Sequence, residues 1–210
     1  HHRGGRRKRR KTIGIVMTLS PQQEVNDPYF MIIREGVEQQ AEKMGFTIGS
    51  LFRGMGSMAD SQSSDNPQEF DGLVVIGHAS SKEIASLFPN VKYVVFVDYR
   101  PQTVKYDSVL AELGNATRNL IDYLRSLGHE KIGFIGGVDR AQSLDKHGTE
   151  TFPQQPEARH EAFCNYMKEL GIFQEKYVYQ FATWTSEVGY RGMKDIVVQG
   201  DLPDAFIIAN

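Results

Sequence analysis

The 210-residue chain is long enough for one large domain or two small ones, and its 40% hydrophobic and 24% charged content is ordinary for a globular protein. Seven of its 24 Lys and Arg lie within the first eleven residues, which leaves 17 basic against 26 acidic residues and a net charge of −9 for the rest. So acidic a body argues against its gripping nucleic acid itself, because displacing counterions needs clustered cations.

The leader His1 to Lys11, HHRGGRRKRRK, reads as a nuclear-type signal, a DNA-contacting hinge or a tag remnant joined to native residues; the paired His and the Gly-Gly favour the last. Thr12 to Thr18 (TIGIVMT) is a buried-strand run. Tyr29 to Met44 follows as an amphipathic helix, with Phe30, Ile33, Val37, Ala41 and Met44 spaced three or four apart and Gly45 as its stop. Phe46 to Phe52 is a weaker second strand, Leu73 to Ile76 a third and Tyr93 to Val97 a fourth, with a short helix over Lys82 to Phe88 between the last two.

The pattern then restarts. Thr117 to Leu127 is helical, with Leu120, Ile121, Leu124 and Leu127 expected on one face, and Lys131 to Gly136 (KIGFIG) is a strand that echoes TIGIV. Ala158 to Leu170 is a helix, Tyr177 to Phe181 a strand, Ser186 to Val198 a helix and Ala205 to Ala209 a strand. Alternation of this kind means parallel strands joined by right-handed crossovers. The expected fold is α/β, two similar parallel-sheet, Rossmann-like subdomains over 12–111 and 112–210, the second incomplete, after a leader over 1–11. Ligands of open parallel sheets bind beyond the carboxyl ends of the strands, so two such halves hold a ligand in the cleft between them.

The single Cys164 excludes an internal disulfide, fits a reducing compartment and reads as a buried, inert thiol in an apolar helix stripe. No run approaches the roughly twenty apolar residues of a membrane span, and the leader lacks the apolar stretch of an export signal, so a cytoplasmic location is expected. The six His show no metal spacing, Gly133-x-x-Gly136-Gly137 lacks the spacing of a dinucleotide loop, and no Gly-x-Ser-x-Gly or paired carboxylates support a hydrolase. No enzymatic activity and no cofactor are expected.

Several motifs carry a family resemblance. Asn26-Asp27-Pro28-Tyr29-Phe30 with Gly36-Val37, Asp71-Gly72-Leu73-Val74-Val75, and Asp98 at a strand end resemble the first half of the lactose and galactose repressors. Leu127-Gly128-His129-x-Lys131-Ile132-Gly133-Phe134-Ile135-Gly136-Gly137 is the most recognisable stretch. It is followed by Arg159-His160-Glu161-Ala162-Phe163, Leu170-Gly171-Ile172, Trp184-Thr185-x-x-x-Gly189-Tyr190 and Ile208-Ala209-Asn210. The resemblance covers about residues 12 to 210, and the wording is nearest to repressors of β-galactoside use. It implies a periplasmic-binding-protein-like fold and a small sugar effector. It also implies operator DNA reached through a headpiece absent from this chain, and a homodimer.

The resemblance also implies a sugar pocket. A sugar offers hydroxyls, which suit fixed donors and acceptors, and an apolar ring face, which suits an aromatic plane. By family position Trp184 stacks on the ring, Arg159 donates to neighbouring hydroxyls, and Asp98 and Asn210 hydrogen-bond to hydroxyls. Phe30 and Tyr29 wall the cleft. Plainer readings stay open: a core Trp, a solvated helix-surface Arg, a strand-end Asp that caps or turns, and core packing for Phe30. Two stretches depart from the pattern. Arg53 to Phe70 lacks the periodicity of the expected crossover helix, so that helix is doubtful or residues are missing. Val138 to Pro156 is long and polar, a surface loop or a lid. The competing readings are a sugar-binding protein of a transport system, which needs an export signal, and an α/β enzyme, which needs a nucleophile or cofactor loop.

Overall fold

In this computed structural model the described residues are 9–26, 28–53, 70–101, 104, 106–138, 157–181 and 185–209. They fall into two units, 9–110 and 111–209. Trp184, Asn210 and nearly all of the two departing stretches lie outside the described residues.

The first unit is a five-stranded parallel sheet in the order β2-β1-β3-β4-β5. Its strands are β1 (Thr12–Met17), β2 (Thr47–Arg53), β3 (Gly72–Ile76), β4 (Tyr93–Val97) and β5 (Asp107–Val109). Because successive strand residues point to opposite faces, β1 serves two cores. Ile15 and Met17 join Ile76 beneath Phe30, Ile33 and Val37 of α2 (Pro28–Lys43). Val16 joins Leu73, Val75, Val94 and Phe96 beneath Ile84 of α3 (Ser81–Leu87) on the other face. Near-continuous apolar runs in β1 and β3 are what a parallel sheet covered on both faces requires.

The second unit is a three-stranded parallel sheet, β7-β6-β8, built from β6 (Ile132–Gly137), β7 (Val178–Phe181) and β8 (Ala205–Ile208). Ile121 of α4 (Leu113–Ser126) and Phe163 and Met167 of α5 (Ala158–Glu169) pack with Ile132, Phe134 and Ile207. The remaining helix, α6 (Ser186–Gln199), approaches β7 so closely that a Cβ on Gly192 would lie 2.0 Å from the Phe181 ring. Any larger residue there would have to push that ring aside.

Several elements differ from expectation. A six-residue helix, α1 (Pro21–Asn26), and the short edge strand β5 carry too few apolar residues to show a period. Helix α4 begins at Leu113, and Tyr177 belongs to a 3-10 turn (Glu175–Tyr177) that precedes β7. Of the apolar face expected on α4, Ile121 is buried and Leu124 half-buried, whereas Leu120 and Leu127 are 48% and 58% exposed. Leu120 sits a full 100° step from Ile121, and Leu127 lies past the last helical residue. Met44 is likewise exposed beyond the end of α2. Cys164 is half-buried rather than buried, and its thiol pKa is raised by that burial, so it behaves as packing.

Candidate functional site

In the first unit, the order of strands reverses direction between β1 and β3, the switch point where open α/β sheets hold ligands beyond their carboxyl ends. Hydrogen bonds carry the sheet one residue past the strands. Thr18 N donates to Ile76 O at 3.3 Å, Gly77 N to Val97 O at 3.0 Å and Asp98 N to Val109 O at 2.9 Å. Thr18, Gly77 and Asp98 therefore form the carboxyl rim of this sheet. Gly77 has a φ of +89°, and a Cβ there would lie 2.4 Å from Thr18 Oγ1, so both conformation and space demand glycine.

Asp98 is the one non-glycine residue with positive φ, +63°, among those described. Aspartate tolerates the left-handed region because its short side chain bonds locally, yet the conformation still costs energy that a plain turn would not spend. Its Oδ1 accepts a 2.8 Å hydrogen bond from the Tyr29 hydroxyl at the start of α2. The neighbouring Phe30 meets Tyr29 edge to face at 5.1 Å and packs its ring into the β1/β3 core near Gly77. Tyr29 and Asp98 are thus brought together on the rim, while Phe30 takes the core position that the sequence left open. His78, not singled out from the sequence, follows Gly77 and stacks on Tyr99 at 4.7 Å.

In the second unit, the corresponding rim is formed by Val138, whose N donates to Phe181 O at 3.1 Å, and Ala209, whose N donates to Ile135 O at 2.8 Å. Arg159, in the first turn of α5, reaches this rim: its Nη1 donates to the Ala209 carbonyl. Its Nε donates to Glu157 Oε1 at 2.5 Å. Glu157 is the N-cap of α5, accepting from Arg159 N at 3.1 Å and His160 N at 2.9 Å, and its carboxylate is 1% exposed. Sequence reasoning passed over Glu157 because glutamate is not a favoured N-cap; an acidic residue two places before an Arg at a helix start was its only signal. Arg159 itself is neither core nor plain surface, with a quarter of its side chain exposed.

Each rim thus offers fixed hydrogen-bonding groups. Among the described residues no three His, Cys, Asp or Glu cluster to hold a metal, and no helix is long and apolar enough to cross a membrane. His160, beside Arg159, packs its ring on Phe134, and burial lowers its pKa against the opposing pull of Glu157 and Glu161.

Residues 121–210 match the periplasmic binding protein-like domain family. Over 99% of its length the chain is 32% identical to the HTH-type transcriptional repressor MelR of Bacillus subtilis (strain 168), of which it covers 57%. It is 29% identical over 98% of its length to the HTH-type transcriptional regulator GalR of Lacticaseibacillus casei, of which it covers 59%. The chain therefore spans between half and two thirds of the length of these relatives. The solved complex of the transcriptional regulator CelR with cellobiose superposes with a TM-score of 0.70 over 96% of this chain and 60% of that one, at 18% identity, a likeness of fold. The fold is periplasmic-binding-protein-like, and over nearly its whole length the chain is similar to HTH-type transcriptional regulators.

Proposed function

We propose that the chain is the effector-binding part of a bacterial, sugar-responsive transcriptional repressor, taking galactose or a β-galactoside and thereby controlling operator DNA binding. The observation that carries the reading is Arg159, a guanidinium fixed at the carboxyl rim of a parallel sheet, where such sheets receive ligands. Its planar fork suits two adjacent sugar hydroxyls. Asp98 supplies an acceptor with Tyr29 beside it, Trp184 a stacking face and Asn210 an amide that both donates and accepts; Phe30 supports Tyr29 from the core.

Galactose as the class of effector is supported by similarity to a regulator named GalR and by the wording shared with repressors of β-galactoside use. A role on DNA is supported by the HTH-type regulators among its relatives. Operator contact belongs to their HTH part, since the body of this chain is acidic. A cytoplasmic homodimer without cofactor or enzymatic activity completes the proposal. The sugar acts by binding the operator-competent and operator-released states with different affinity, for a ligand with equal affinity for both shifts nothing. The same fold serves transport proteins that bind sugars, but the extended similarity to an HTH-type repressor favours the regulator.

Calorimetry of the full-length protein with galactose, lactose, glucose and ribose tests this. Galactose or lactose is expected to release heat, and Trp184→Ala to weaken that binding by at least tenfold, as loss of a stacked aromatic face does. No heat with any of the four sugars, or unchanged affinity in Trp184→Ala, overturns the assignment.

A further inference from the structure

We propose that Glu157 is a positioning residue for the effector sugar: its buried carboxylate holds the guanidinium of Arg159 at the carboxyl end of β8. The inference rests on the sugar-binding role proposed above for Arg159.

The argument begins with the choice of residue. A helix N-cap needs a side-chain oxygen within reach of the second and third N–H groups, and Ser, Thr, Asp and Asn supply it with short side chains. Glu157 does the same work, receiving the N–H groups of Arg159 and His160. Its extra methylene is superfluous for capping. What that methylene adds is reach: Oε1 comes to 2.5 Å from Arg159 Nε while still receiving the backbone of the same residue. Burial points the same way, since a carboxylate 1% exposed is costly unless it is paired, whereas a Ser, Thr or Asn capping oxygen carries no charge to bury.

The consequence falls on Arg159. One edge of its guanidinium is held by Glu157 and the other by the Ala209 carbonyl. A long, rotamer-rich side chain fixed at two points loses its freedom during folding and no longer loses it when a ligand arrives. Ala209 directly precedes Asn210, so the same chain of contacts, Glu157 to Arg159 to Ala209, pins the strand end that carries a second proposed sugar contact. The cap is itself anchored, because His160 packs on Phe134 in the core of this unit.

The test uses the full-length protein with galactose and lactose, followed by calorimetry, alongside thermal melting. Glu157→Asp keeps the charge and the cap but is one methylene too short to hold Nε. Its melting temperature is expected to stay near that of the parent while sugar affinity falls about tenfold, the cost of immobilising one such side chain on binding. Glu157→Gln keeps the reach and is expected to bind within about threefold of the parent. In an Arg159→Ala background Glu157→Asp is expected to cause no further loss, since the two act through one contact. The inference is overturned if Glu157→Asp binds sugar as the parent does, or if both Glu157 variants lose affinity only in step with melting temperature. Arg159→Ala separates the two readings. Unchanged sugar affinity there defeats the sugar site and this inference together, whereas lost affinity there with full affinity in Glu157→Asp defeats this inference alone.

Discussion

The two units each bury one carboxylate among the described residues, Glu24 in the first and Glu157 in the second, and they compensate it differently. Glu24, on α1, meets two guanidiniums: Arg34 Nε of α2 at 2.8 Å and Nη1 of Arg53, the last residue of β2. Arg34 is bound in turn by Glu38. Three elements are fastened by one ion cluster. Glu157 meets a single guanidinium and two backbone N–H groups at a helix start. A carboxylate shared between arginines of different elements fixes elements, whereas one shared between an arginine and a helix cap fixes the arginine.

That contrast predicts where damage spreads. The largest effect is expected from Glu24→Ala, which leaves Arg34 and Arg53 largely buried without their shared partner, at about 3 kcal/mol in urea unfolding. Amide exchange is expected to accelerate in the first unit and not in the second; equal acceleration in both breaks the distinction. The same cluster sets a pH dependence. Burial raises the Glu24 pKa, but the hydrogen bonds from Arg34 and Arg53 outweigh it and hold it below its ordinary 4.5. Its contribution is therefore complete above that value and is lost as pH falls through the lowered folded value. Acid titration of Glu24→Gln is expected to show a shallower loss of stability below pH 4.5 than the parent.

Next in size is Gly192→Val in the second unit, which drives a side chain into the Phe181 ring and is expected to cost about 2 kcal/mol, with exchange accelerated in the second unit. Asp98→Ala is expected to cost about 1 kcal/mol, because alanine cannot offset a φ of +63° with a local hydrogen bond; Asp98→Asn is expected to keep most of that stability. The smallest change is Tyr29→Phe. It removes one exposed hydrogen bond to Asp98 and is expected to cost about 0.5 kcal/mol by thermal melting, while Phe30 keeps its core packing.

The strands were the most legible part of the sequence. TIGIVM and GLVVI are covered on both faces, so their apolar residues run almost without interruption, and KIGFIG repeats the signature. Helix α2 was legible by its period, and α3, α5 and α6 within a residue or two. The edge strand β5 and the helix α1 were not, because an exposed three-residue strand and a one-and-a-half-turn helix have no period to read. The outward turn of Leu120 was missed for a related reason: periodicity names a face about 100° wide but not which shoulder of it meets the core.

The candidate site divides along the same line. Asp98 and Arg159 were found through a family pattern that attaches roles to positions, and chain order alone places both at strand ends or helix starts. That Asp98 adopts a left-handed backbone and receives Tyr29, or that Glu157 disappears into the second unit to grip Arg159, depends on contacts across 69 and 2 residues that follow no periodic rule. The sequence by itself determined the alternation of strand and helix, because burial on one stripe or two faces leaves a period in the apolar residues. Only the tertiary structure decided which polar groups meet, because a hydrogen bond needs ångström placement that a linear pattern does not carry.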